Sequence, residues 1–259
     1  MIDPKNDPNC SPGARATTRP MRSLLARLGQ IGAIVLSLAV SPWSVSAATI
    51  QAVNMSSERS AGFLVSGEMA DGDLLKLQTE IAKLPPDRAV TVYLDSPGGS
   101  LGEGVRMGQF FYSARIATAI KGQQGKCLSA CAIAFLGGRD SATGQPKRIK
   151  PSTALLGFHA FRLTFDDKKT YTAENMGEMI AVTQRISYAL IEYFREIKVE
   201  AKFLPLMLKA PTEQMRLVGN EEALQLGFHV WDEAAKRLID PGAIRSRLQS
   251  ALSLDTATR

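Results

Sequence analysis

Three short stretches of the sequence hold residue types that could together perform acyl transfer. Ser96-Pro97-Gly98-Gly99 follows an apolar, β-branched segment, Ser129 precedes a run of small apolar residues, and His159 ends another apolar segment. A hydroxyl nucleophile, an imidazole base and backbone N–H donors are the groups that acyl transfer requires. These residues therefore indicate acyl transfer with a serine nucleophile.

The physical reasons differ between the stretches. Two glycines at the end of a strand let the backbone approach a ligand and present its N–H groups. Ser129 lies near a helix N-terminus, where exposed N–H groups favour developing negative charge. Each residue also has an ordinary structural interpretation: a tight turn, an N-cap at Ser129, and a core or rim histidine at His159. His229 is interpreted as structural.

Two of the three cysteines, Cys127 and Cys131, flank Ser129. Their C-x-x-x-C spacing is not typical of zinc sites, and the chain has only two histidines. We therefore expect no metal site and no cofactor. A disulfide between Cys127 and Cys131 and two buried free thiols are both compatible with the sequence.

The elements that must position these residues alternate between strand and helix. This alternation predicts an α/β domain with mostly parallel strands over residues 61–240, followed by a C-terminal tail at 241–259. Residues 48–60 and 139–153 are expected to be irregular, and one long helix is expected over 172–199. The remaining expected elements are strands at 61–67, 89–94, 115–120 and 154–158, and helices at 73–83, 101–113, 200–209 and 221–226.

The N-terminal region has the features of an export signal. Residues 1–20 contain four prolines and are expected to be disordered, and residues 21–47 combine basic residues, an apolar run and small residues before Ala47. This pattern predicts a signal peptide cleaved after Ala47 or Ala48, or an uncleaved membrane anchor, and a periplasmic or secreted location.

Half of the net charge of +6 lies in residues 1–47. The remaining residues are therefore only mildly basic, and their charge does not suggest a nucleic-acid partner.

In order and spacing, these motifs resemble the proteolytic subunit of Clp protease, peptidase family S14. The matching stretches are 92–99 with Ser-Pro-Gly-Gly, 125–129 with Gly-x-x-x-Ser, 157–159 with Gly-Phe-His, and 216–227 with its Glu-Ala-x-x-x-Gly ending. The resemblance covers about residues 61–232. It implies a Clp/crotonase-like spiral of ββα units with mostly parallel strands and a long helix in the C-terminal half.

The resemblance also implies roles for individual residues. Ser129 would be the nucleophile, His159 the general base, and the N–H groups of Gly99 and Ala130 the oxyanion hole. The family's aspartate is replaced by Met215, which cannot orient an imidazole.

Three nearby carboxylates are candidates to replace that aspartate. Glu213 could act from a shifted loop, and Asp166 or Asp167 could fold back towards the imidazole.

The leading hypothesis is therefore an exported Clp-like serine peptidase that acts on peptides or proteins without an ATPase partner. The alternative is a catalytically impaired pseudoenzyme that binds or assembles with partners on the same fold. A Ser-Lys peptidase would need Lys121, Lys126 or Lys147 at Ser129, and an acyl-CoA enzyme is disfavoured. The helix over 172–199 is compatible with a homo-oligomer interface and equally with covering the core.

Overall fold

The computed structural model describes residues 47–55, 57–161, 168, 170–199, 203–209 and 214–242. Within this part the chain forms a mixed α/β domain whose central sheet is mostly parallel, so the coarse fold class expected from the sequence is confirmed. The expectations for the disordered extension 1–20, for residues 21–46 of the signal segment and for most of the tail lie outside the described residues.

The central sheet has seven strands in the order β1-β2-β3-β4-β6-β9-β10. The five inner strands pair in parallel, and the two edge strands β1 and β10 pair antiparallel. Apolar residues dominate β3, and its buried residues, Val92 and Leu94, point to the same face of the sheet. The strands are β1 Thr49–Val53, β2 Ser60–Ser66, β3 Ala89–Asp95, β4 Ala117–Ile120, β6 Arg148–Pro151, β9 His229–Asp232 and β10 Arg237–Ile239.

A second, smaller sheet supports the segments before Ser129 and His159. Its strands are β5 Lys126–Leu128, β7 Leu155–Phe158 and β8 Arg216–Leu217. β5 and β7 are parallel, with Leu128 opposite Gly157, and β8 joins β7 antiparallel. This pairing brings the C-terminal ends of β5 and β7 to the same edge.

Between and beside these strands, the described residues form six helices. Ser100 caps α2 by accepting a hydrogen bond from the Glu103 N–H, and Thr172 and Asn175 form a capping box on α4. In the described part of the chain, no helix combines the length and the apolar character needed to cross a membrane. The helices are α1 Asp73–Ile81, α2 Leu101–Ser113, α3 Ala130–Phe135, α4 Ala173–Glu196, α5 Phe203–Leu208 and α6 Asn220–Gln225.

Two expectations of irregular structure are wrong. Residues 49–53 form β1, which pairs along its length with β2, so the sheet begins well before residue 61. Residues 148–151 form β6, a strand in the middle of the sheet. Its charged side chains are nevertheless buried, since Arg148 and Lys150 are 5% and 3% exposed.

Helix α2 packs closely against both α3 and α4. A Cβ on Gly104 would lie 2.4 Å from the Ala130 carbonyl oxygen, and one on Gly108 would lie 1.8 Å from the Tyr193 hydroxyl. Tyr193, on α4, is fully buried and donates a hydrogen bond of 2.8 Å to the Ile133 carbonyl of α3. Burial raises the pKa of this phenol, so it acts as a donor. Three helices therefore meet around one hydroxyl.

Replacing Tyr193 by Phe should lower the free energy of unfolding by about 1 kcal/mol, because the buried Ile133 carbonyl loses the hydroxyl donor and keeps, among the described residues, only the Leu136 N–H at 3.2 Å. Urea denaturation followed by circular dichroism measures this change. Tyr188→Phe is the matched control, since Tyr188 lies on the same helix and is 65% exposed, and it should leave the midpoint unchanged. Equal effects of the two substitutions would contradict this account of the helix contact.

Candidate active site

The turn after β3 requires glycine at two consecutive positions. Gly98 and Gly99 have φ values of 108° and 136°, which side chains rarely tolerate. A Cβ on Gly98 would lie 2.7 Å from the Ser129 Cβ, and one on Gly99 would lie 2.2 Å from the Met69 carbonyl oxygen. The diglycine therefore lets the turn approach Ser129 on one side and Met69 on the other.

Backbone hydrogen bonds to Met69 orient this turn. The Met69 N–H donates to the Gly98 carbonyl at 2.7 Å, and the Met69 carbonyl accepts from the Ser100 N–H at 2.8 Å. The N–H of Gly99, between them, has no acceptor among the residues that the structure describes. The same holds for the N–H of Ala130, the first residue of α3, so both donors are available to a ligand.

Ser129 lies between β5 and α3 with a backbone conformation that is rare for an L-residue. Its φ and ψ are 57° and −124°. The Ser129 N–H donates to the Gly157 carbonyl at 3.0 Å, and its carbonyl accepts from the Ile133 N–H at 3.2 Å. Such strain, of the order of 1–3 kcal/mol, persists only where surrounding contacts impose it and is frequent at functional sites.

A disulfide joins Cys127 to Cys131 across this turn. Cys127 belongs to β5 and Cys131 to α3, and both side chains are fully buried. Of the two alternatives that the sequence left open, the structure therefore has the disulfide. It ties the strand before Ser129 to the helix after it.

His159 follows β7 and faces Ser129. Its Nε2 lies 2.7 Å from the Ser129 Oγ, and its Nδ1 lies 2.7 Å from the Ala160 carbonyl oxygen. A carbonyl oxygen only accepts, so Nδ1 carries the proton and Nε2 is left with a lone pair towards the serine hydroxyl. This is the tautomer that a general base for Ser129 needs.

These groups open onto one cavity of about 410 Å³. Gly99, Ser129, Ala130 and His159, four of the residues chosen from the sequence, all line it, so the structure brings them together. The other lining residues are mostly apolar: Glu68, Leu101, Ile133, Phe158, Phe161, Ile186 and Met207.

Among the described residues, the group behind His159 is a backbone carbonyl. Glu213, Asp166 and Asp167, the three candidates from the sequence, lie outside the described residues. Met215 packs against Gly157, where a Cβ would lie 2.5 Å from the Met215 Cγ. Within the described chain the partner of Nδ1 is the Ala160 carbonyl. Side-chain types carry no signal for such a backbone acceptor, so the sequence could not point to it.

The lysines considered for a Ser-Lys mechanism do not contact Ser129. Lys121 pairs with Asp95 at 3.0 Å and Lys147 with Asp140 at 2.8 Å. Lys126 is exposed on β5, and the described lining of the cavity contains no lysine. His229, interpreted as structural, lies 3.3 Å from a carboxylate oxygen of Asp240. No group of three metal-ligating side chains occurs among the described residues.

Comparison with known proteins identifies no family for this chain, so the functional argument depends on the geometry of the site. No protein-family model matches the sequence, and a search of curated proteins gives no match.

Replacing both Cys127 and Cys131 by Ala should lower the free energy of unfolding by about 2 kcal/mol, as expected for a cross-link that closes a short loop. Chemical denaturation of the two proteins under non-reducing conditions measures the difference. As a control, dithiothreitol should destabilise the wild type and leave the double variant unchanged. Alkylation of both cysteines in unreduced, denatured wild type would contradict the disulfide.

Proposed function

We propose that this protein is an exported serine hydrolase of the Clp type that cleaves peptide bonds without an ATPase partner. One observation carries the proposal: the 2.7 Å contact between the Ser129 Oγ and a His159 Nε2 whose tautomer is fixed by the Ala160 carbonyl. The order of the motifs along the chain and the mostly parallel sheet support the Clp/crotonase fold.

In the first half of the reaction, the Ser129 Oγ attacks the carbonyl carbon of the substrate while its proton passes to the His159 Nε2. The carbonyl oxygen becomes an oxyanion and accepts hydrogen bonds from the N–H groups of Gly99 and Ala130. The protonated imidazole then gives its proton to the leaving amine, so that an acyl-serine remains.

In the second half, water takes the place of the leaving group. His159 removes a proton from this water, which attacks the acyl carbon through a second oxyanion. The Ser129 Oγ leaves and recovers its proton from Nε2, and the carboxylic acid product departs. Neither half of the reaction uses a metal or a nucleotide.

The neutral partner of Nδ1 affects the rate. In triad enzymes, replacing the aspartate by an amide lowers kcat about 10⁴-fold because the imidazole takes the wrong tautomer. The Ala160 carbonyl retains the correct tautomer, but it provides no negative charge for the imidazolium. We therefore expect activity that is slower than that of a full triad and still dependent on His159.

The cavity supports a peptide substrate with an apolar side chain beside the cleaved bond. Its lining includes Leu101, Ile133 and Phe161 close to the catalytic groups. Such walls gain hydrophobic free energy from an aliphatic or aromatic side chain. Extended peptides that carry Leu, Met or Phe at this position are the substrates we expect.

A second candidate function is binding or assembly without catalysis on the same fold. Two observations favour it: Met215 lies where the resemblance calls for a carboxylate, and the described partner of the His159 Nδ1 is uncharged. In that case the cavity would hold a peptide segment without cleaving it.

A fluorophosphonate probe should label the wild-type protein at Ser129, because the reagent requires an activated hydroxyl. Ser129→Ala should abolish labelling, and His159→Ala should slow it at least tenfold through loss of the base. Ser113→Ala is the matched control, since Ser113 is an exposed hydroxyl on α2, and it should label normally. Mass spectrometry of the labelled peptide identifies the site, and unlabelled wild type would refute the enzyme hypothesis.

Hydrolysis without ATP distinguishes the two candidate functions. The purified protein should cleave fluorogenic peptides with Leu or Phe before the reporter, with no change on adding ATP, and Ser129→Ala should lose at least 10³-fold in kcat/KM. Full in-cell function of Ser129→Ala, together with tight binding of uncleaved peptide by the wild type, would instead establish the binding function.

A further inference from the structure

We infer that export cleavage falls between Ala47 and Ala48, and that the new α-ammonium group of Ala48 forms an ion pair with the buried carboxylate of Asp73. The inference depends on the export part of the proposed function and not on its catalytic part. It assigns a role to a buried carboxylate that the proposed reaction does not use.

The contact is already present in the uncleaved backbone. The Ala48 N–H donates to the Asp73 Oδ2 at 3.1 Å. Asp73 is fully buried, and Ala48 is only 4% exposed. The same oxygen accepts the Ala70 N–H at 2.8 Å, and the other oxygen accepts from Lys76 Nζ at 2.8 Å. The Lys76 side chain is 54% exposed, so its charge is partly screened by water and a second cation would stabilise the carboxylate.

This geometry selects between the two cleavage positions that the sequence allows. Cleavage after Ala47 leaves Ala48 as the first residue and keeps its nitrogen beside Asp73. Cleavage after Ala48 would remove that nitrogen and leave a buried carboxylate with one donor fewer, which is costly. The small-residue spacing that a signal peptidase accepts is present for both positions, at Val45 and Ala47 and at Ser46 and Ala48, so the contact with Asp73 decides between them.

The chemical step is a hydrolysis by a membrane-bound signal peptidase. Water adds to the Ala47 carbonyl carbon, and the bond to the Ala48 nitrogen breaks. Ala47 leaves as a carboxylate at the end of the signal peptide, and Ala48 becomes an amine that takes up a proton. The neutral amide at Asp73 is thereby replaced by a cation, which turns a hydrogen bond to the carboxylate into an ion pair.

The pair would also reach the candidate active site through the backbone. Asp73 accepts a hydrogen bond from the Ala70 N–H. Met69, the residue before Ala70, donates to the Gly98 carbonyl and accepts from the Ser100 N–H. The new N-terminus is therefore linked by consecutive contacts to the turn that presents the Gly99 N–H. Processing would stabilise this turn in the mature chain.

The first test is N-terminal sequencing of the full-length chain after expression with its signal segment in an exporting host. We expect Ala48 as the first residue of the mature protein. A mature chain that begins at residue 49 or later, or that keeps residues 21–47, would overturn the inference whatever the catalytic activity proves to be.

The second test is a thermal-stability cycle on the mature chain. Protein that begins at Ala48, released from a fusion by a protease that leaves no extra residue, should have a Tm about 2–4 °C above the same chain acetylated at Ala48. Asp73→Asn should remove this difference. Asp87→Asn, at an exposed turn carboxylate, is the matched control and should retain it. Equal Tm values for free and acetylated wild type would overturn the inference.

A third measurement does not depend on the folding of the Asp73 variant. The α-amine of Ala48 should react with an amine-specific acylating reagent at least tenfold more slowly in native than in urea-denatured protein, because the ion pair holds it protonated and buried. The exposed amine of Lys83 is the internal reference. Equal native and denatured rates for Ala48 would show that the amino group is free in solvent.

Discussion

The positive φ of Ser129 is the constraint on which the candidate active site depends. An L-residue adopts this conformation only when its neighbours hold it there. Here the Ser129 N–H donates to the Gly157 carbonyl, and the Ser129 carbonyl accepts from the Ile133 N–H in the first turn of α3. The disulfide joins the two flanking elements, β5 and α3. The result is a hydroxyl that projects from the backbone towards His159 instead of capping the helix that follows.

The tight packing around α3 serves the same purpose. Gly104 brings α2 against the Ala130 carbonyl, and the Tyr193 hydroxyl fixes the Ile133 carbonyl. Interiors packed this closely transmit displacements, because no free volume absorbs them. The position of the Ala130 N–H is therefore determined by contacts with α2 and α4 as much as by α3 itself.

The sequence predicted the elements whose residues have one strong pattern. β3, rich in Val and other strand formers, and α2, which begins after the Ser100 cap, are confirmed, the helix with its expected bounds. β6 was missed because Arg148 and Lys150 resemble a solvated loop. In the fold Lys150 donates to Asn220, and burial of the Arg148 guanidinium lowers its pKa to about 10.

The site itself was predictable to the extent that side chains define it. Ser129, His159 and the two glycines carry recognisable types, whereas the Ala160 carbonyl is a backbone group that every residue has. The hydrogen-bond partner of the His159 Nδ1 could not be predicted, because a backbone carbonyl has no distinguishing residue type. A backbone carbonyl can orient an imidazole as a carboxylate does, although it carries no charge.

The second sheet has a consequence for the stability of the candidate active site. β5, β7 and β8 are two to four residues long, yet their pairing carries both Ser129 and His159. Short elements with few hydrogen bonds open at a lower free energy than the core of a large sheet. The contact between Ser129 and His159 is therefore expected to open at a lower free energy than the seven-stranded sheet, and under the proposed function inactivation would precede global unfolding.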